Sequence, residues 1–143
     1  MSYESWKKEF YPIDAEQAAA YYEGHDDWLV EHCLQKWTGA LPKNTEKHDI
    51  EYRGHQIMDD EDYCCLVLAS TSCSLCRAYA DDEFACPRCP IVGCTGWTCD
   101  GSTYDEEKSE ISHSDDRNVW SDSGADPQPM IDLLTKVLKW TKS

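Results

Sequence analysis

Basic residues are scarce in this chain. Its 143 residues include 13 Lys and Arg against 28 Asp and Glu, a formal net charge of −15. That shortage excludes a general binder of nucleic-acid backbones, which needs clustered cations to neutralise phosphates. Long apolar runs are missing as well. The longest, Cys64-Cys65-Leu66-Val67-Leu68-Ala69, has six residues, against the roughly 20 that carry a helix across a bilayer. The opening stretch from Met1 to Phe10 has no apolar h-region, so no secretory signal is visible and a reducing, cytoplasmic setting is the expectation. Catalytic signatures are absent too: there is no H-E-x-x-H, no G-x-S-x-G and no glycine-rich phosphate loop. A zinc deaminase needs an H-x-E or C-x-E tripeptide upstream of P-C-x-x-C. Neither tripeptide occurs, and Cys86-Pro87-Arg88-Cys89 is C-P-x-C.

What the chain does have is aromatic and apolar content. Hydrophobic residues make up 41%, with six Trp and eight Tyr, enough to build a core despite the charge. The length fits a single domain over 1–143. There are also nine cysteines, at 33, 64, 65, 73, 76, 86, 89, 94 and 99. An odd number cannot pair completely, and structural disulfides are rare in reducing compartments. Six of the nine fall within 73–99, and such crowding reads first as metal ligation.

The expected fold class is α+β: a small zinc-stapled domain with N-terminal helices, a short antiparallel hairpin, a four-cysteine zinc knuckle and a C-terminal helix. Asp14 is placed to cap a helix through Ala15-Glu16-Gln17-Ala18-Ala19-Ala20. A second helix is predicted from Asp26 to Thr38, with Leu29, Cys33 and Trp37 on one face and Gly39 as its C′ stop. Asn44 to His48 reads as one more helical turn. The segments 51–57 and 63–68 flank an acidic break at 59–62 and read as a hairpin with a wide turn. Residues 101–126 hold eight acidic and two basic residues, a balance of −6. This stretch is expected to be an acidic, mobile loop anchored only by Trp120. After Pro127 and Pro129, the stripe Met130, Leu133, Leu134, Val137 and Leu138 predicts a docked C-terminal helix.

The chemistry is concentrated in the cysteine-rich metal-binding segment, 73–99. Cys73-x-x-Cys76 and Cys86-x-x-Cys89 are separated by nine residues. Each pair turns two sulfurs towards one point, and two pairs make a tetrahedral four-sulfur site suited to Zn²⁺. The expected ligands of one zinc are therefore Cys73, Cys76, Cys86 and Cys89, with Cys94 and Cys99 as alternates. Three other readings stay open. An iron–sulfur cluster uses the same thiolates. A dithiol redox centre at Cys73 and Cys76 is suggested by an apolar strand leading into C-x-x-C. Unligated buried thiols are the third. Cys33, Cys64 and Cys65 lie on apolar faces and read as core residues.

C-S-L-C-R-A-Y followed by C-P-R-C-P-I and a later Cys resembles the pattern of a group of short, uncharacterised bacterial and phage proteins. Their motif runs C-x-L-C-x-x-[YF], then C-x-x-C-P-[LI], then C. The resemblance extends to Trp6, Phe10-Tyr11-Pro12, Leu34 to Gly39 with Asn44 and Lys47-His48, and Asp126-Pro127 with Met130-Ile131. It implies a metal-stapled domain of microbial or viral origin, and no reaction.

Of the five histidines, His25 and His32 fall near one helix face; His32 could reach the metal, and its plainer reading is a surface or interface residue. A saturated four-sulfur site leaves no open coordination position, so the expectation is a non-enzymatic binding or regulatory protein. The charge points to a protein partner with a basic surface, with no direct nucleic-acid binding and no membrane. One form of that reading is an inhibitor that mimics nucleic acid and occupies the groove of a host defence enzyme.

Overall fold

The computed structural model describes residues 2–59, 61, 63–69, 72–79, 89–105 and 110–142, with 100–105 and 110–117 described by backbone only. Helix α1 (Tyr3–Phe10) opens with Ser2 N–H donating to Ser5 Oγ at 3.0 Å. Helix α2 (Ala15–Tyr21) starts at Asp14, whose carboxylate accepts from Gln17 N–H at 2.7 Å, while Gln17 Oε1 accepts from Asp14 N–H. This reciprocal cap satisfies two backbone donors that a helix start would otherwise leave open.

Helix α3 (Asp26–Gly39) runs through the core and buries Leu29, Val30, Cys33 and Trp37. Gly39 closes this helix for a different reason from the one expected. It is the last helical residue, and a Cβ there would lie 2.6 Å from the Phe10 ring and 2.8 Å from Trp6 Nε1. The fully buried Trp6 indole donates to Gly39 O at 2.9 Å. Glycine therefore lets α1 approach the end of α3. Leu41-Pro42 turns the chain into α4 (Pro42–Lys47), with proline at the first helical position.

The single hairpin expected next is a three-stranded antiparallel meander. Strands β1 (Glu51–Arg53), β2 (Gln56–Met58) and β3 (Cys64–Val67) pair in the order β1-β2-β3. Gly54 and His55 both have positive φ, 57° and 65°, the signature of a tight two-residue turn whose twist matches paired strands. Ile57 and Leu68 are fully buried beneath the sheet.

Helices α5 (Ser74–Tyr79) and α6 (Pro90–Thr95) flank the second cysteine pair. The stretch expected to be an acidic loop is instead built on an antiparallel hairpin, β4 (Asp100–Asp105) with β5 (Glu110–Asn118), followed by the short turn α7 (Val119–Asp122). Trp120 in α7 clasps three segments. Its backbone N–H donates to Cys99 O at 2.9 Å, its indole donates to Leu68 O at 2.8 Å, and its ring stacks on His55 at 3.9 Å. Tyr52 OH donates to Ser123 O beside it.

Helix α8 (Gln128–Lys142) packs along α3 and buries Met130, Leu134 and Val137, as the stripe predicts. Ser123 Oγ accepts from Met130 N–H at 3.0 Å and so satisfies a donor in the first turn. Trp140 is half exposed and lies against Gly93 of α6. The architecture is α+β, and no helix among the described residues is long and apolar enough to cross a membrane.

Candidate functional site: a thiol cluster beside a buried lysine

Cys73 precedes the first residue of α5, and its Sγ accepts from Cys76 N–H at 3.4 Å. That contact is the local result of C-x-x-C at a helix start, where the turn folds the fourth residue's amide back onto the first sulfur. The third sulfur at this point comes from elsewhere. Cys33, one turn before Lys36 on α3, places its Sγ 3.6 Å from Cys73 Sγ and 3.2 Å from Ser74 Oγ. Cys33 is therefore more than the core filler its apolar face suggests.

Lys36 is 1% exposed, yet it carries an ammonium group. Its Nζ donates to Ser72 O at 2.8 Å and to Ser72 Oγ at 3.1 Å. No carboxylate pairs with it among the described residues. A buried cation without an anion nearby is costly. The anion available is sulfur: the Cys73 thiol is held well below its ordinary value by hydrogen bonds from Cys33 and Cys76 and by the Lys36 charge, against the effect of burial. Cys33 moves the other way, pushed well above its ordinary value by its contact with Cys73 and by burial.

Cys89 is buried immediately before Pro90 of α6, near enough to the Tyr79 ring to act on it electrostatically. Burial and a hydrogen bond to Asp26 push the Tyr79 hydroxyl up to about 12. Cys94 is half-buried on α6, and Cys99 sits just ahead of β4. Cys86 lies outside the described residues. Among the described residues, no three His, Cys, Asp or Glu side chains form a ready metal-binding group. The contacts the structure shows are pairwise, Cys33 Sγ with Cys73 Sγ and Cys76 N–H with Cys73 Sγ.

His32 does not turn to the sulfurs. Its Nε2 donates to Ile13 O at 2.8 Å, its ring is buried beside Tyr11, and desolvation keeps it neutral by pulling its pKa down. The other histidine cluster is a clamp between helices. His48 contacts Ser5 Oγ through Nδ1 at 2.8 Å and Glu9 Oε1 through Nε2 at 2.9 Å. A hydroxyl, an imidazole and a carboxylate in line suggest a proton relay. The hydroxyl, however, also accepts from Ser2 N–H and donates to Ser2 O at 2.8 Å, so it is committed to the start of α1. Open clefts lie elsewhere, one lined by Glu16, Glu23, Leu29 and Arg77 and another by Pro12, Tyr22, Trp28 and His32; neither has a cysteine among the described residues of its wall.

Neither Lys36 nor the Cys33–Cys73 contact is named by any sequence motif. The available signal was a lysine one position before Trp37, on a helix whose buried positions are otherwise apolar apart from His32. No family model matches the chain, and no curated protein and no solved structure matches it either.

Proposed function

We propose that the chain is a non-enzymatic, acidic binding protein whose cysteine segment is stapled by one zinc ion. The observation that carries this reading is the C-x-x-C turn at α5, where Cys76 N–H points at Cys73 Sγ, next to the Ser72 that holds the buried Lys36 Nζ. A thiolate metal centre supplies lasting negative charge at that position, where a neutral thiol would leave the cation uncompensated. The ligands proposed from the sequence are Cys73, Cys76, Cys86 and Cys89, with Cys94 and Cys99 as alternates. Zinc in such a site is a folding element rather than a reaction centre. The net charge of −15 then serves recognition, and the partner is a protein with a basic surface, for example a nucleic-acid-binding groove that carboxylates occupy in place of phosphates. A reducing cytoplasm suits the free thiols, and the resemblance in the cysteine motif favours a bacterial or phage source.

Metal analysis of native protein tests the staple. About one zinc per chain is expected; a folded, metal-free protein whose cysteines all titrate freely refutes it. A pull-down at low salt and again in 0.5 M salt tests the charge reading. Capture should be lost at the higher salt, where the Debye length is on the order of 4 Å.

The depressed Cys73 thiol also favours a second reading, a dithiol redox centre at Cys73 and Cys76. The same metal analysis separates the two, because a redox dithiol is purified without metal and cycles reversibly with a defined potential.

A further inference from the structure

We infer that Cys33 is itself a ligand of the metal centre, joining Cys73 and Cys76 from helix α3; the inference rests on the zinc reading above. In a tetrahedral thiolate shell with Zn–S near 2.3 Å, neighbouring sulfurs stand ~3.8 Å apart. Cys33 Sγ and Cys73 Sγ are separated by 3.6 Å. Within a C-x-x-C pair such a spacing follows from the turn. Between Cys33 and Cys73, 40 residues apart, only the tertiary fold can produce it. Cys33 is 1% exposed and fixed on the central helix, so it meets Cys73 in a defined geometry.

The surroundings match those of an outer coordination sphere. Cys76 N–H points at Cys73 Sγ, and the Lys36 ammonium lies one turn further along α3. Hydrogen-bond donors and a cation around thiolate sulfurs are what tune a metal–thiolate site. Three sulfurs from Cys33, Cys73 and Cys76 leave one position for a thiolate of the second pair. On binding, Cys33 releases its proton to solvent and its sulfur bonds to the metal. The centre then ties the cysteine segment to the helix at the middle of the core.

The competing arrangement keeps Cys33 outside the shell, as a thiol donating to Cys73. Cadmium-113 loaded into the full chain distinguishes them, because a metal–thiolate bond couples the cadmium nucleus to the cysteine β-protons. A correlation to the β-protons of Cys33, alongside those of Cys73 and Cys76, is the expected result. Cadmium bound with correlations to Cys73 and Cys76 but none to Cys33 overturns this inference and leaves the staple standing. A chain that takes up no cadmium and no zinc overturns both. Cobalt gives an independent measurement: in Cys33→Ser the sulfur-to-cobalt charge-transfer intensity should fall to about three quarters, as four thiolates become three. Affinity should drop by more than the roughly 10–100-fold that outer-sphere changes cost. An unchanged charge-transfer band in this variant also counts against Cys33 as a ligand.

Discussion

Lys36 Nζ donates to Ser72 O at 2.8 Å, which sets a buried ammonium beside the residue that leads into Cys73. The two are joined through backbone, so the cation is held whether or not the thiol is ionised. Replacing Lys36 by Met keeps most of the apolar stem and removes the charge. In chelator-treated protein, the midpoint of Cys73 alkylation against pH should then move upward, because one of the influences lowering that thiol is gone. An unmoved midpoint would show that Cys33 and Cys76 alone hold the thiolate. Melting should fall as well, because removing one partner leaves the other charge uncompensated and takes the donor from Ser72 O.

Metal removal should be destabilising. The binding free energy of a structural zinc is partly folding free energy. Chelation of the native chain, or Cys76→Ser, should therefore lower Tm sharply, and calorimetry with and without added zinc measures it. A Cys76→Ser variant that melts like the parent excludes Cys76 as a ligand.

The clamp between α1 and α4 makes stability fall in acid. Hydrogen bonds from Lys47 and His48 hold the Glu9 carboxyl below its ordinary value of 4.5. A carboxylate with a lowered folded-state pKa stabilises the fold above its unfolded value and loses that contribution as pH falls through the folded one. Thermal melts between pH 6 and pH 3 should show Glu9→Gln losing less stability on acidification than the parent. Parallel curves for the two proteins would remove Glu9 from the account.

Leu134 is 1% exposed where α8 meets α3. Leu134→Asp places an unpaired charge there and should cost on the order of 3 kcal/mol. In a domain of this size that corresponds to a Tm lower by roughly 10 °C.

Charge should govern association more than folding. Neutralising Asp105, Glu106 and Glu107 to the amides removes three carboxylates from the most acidic segment of the chain. Partner association should slow while zinc content and Tm stay near the parent's. Stopped-flow binding to the captured partner at two ionic strengths is the measurement.

Helix starts and faces were legible in the sequence wherever local chemistry decides them. Asp14 with Gln17 caps α2, the 29–33–37 face of α3 is buried, and the α8 stripe docks as its periodicity says. Pairing between distant segments was harder to read. The 51–58 segment splits because Gly54 and His55 turn left-handed, and a histidine gives little notice of doing so. Residues 100–105 and 110–118 look like parts of a solvated loop by composition, yet their backbones pair as two antiparallel strands, and the register that allows this is not encoded in residue type. At the thiol cluster, C-x-x-C marks Cys73 and Cys76 through a local turn. Cys33 and Lys36 reach the same place through the packing of α3, which helical periodicity cannot aim at a particular neighbour.

Trp120 gives the cysteine segment a property of its own. By bonding Leu68 O on one side and Cys99 O on the other, it fastens both ends of the 30-residue stretch 69–98. Drawing together the ends of a free chain of that length costs ~3 kcal/mol of entropy. Here the ends are already met by the fold, so a metal would bind within a closed loop. Zinc affinity should accordingly depend on a residue that never touches the ion. Trp120→Phe keeps a ring to stack on His55 and loses the indole donor to Leu68. It should bind zinc more weakly than the parent with an unchanged set of thiolates.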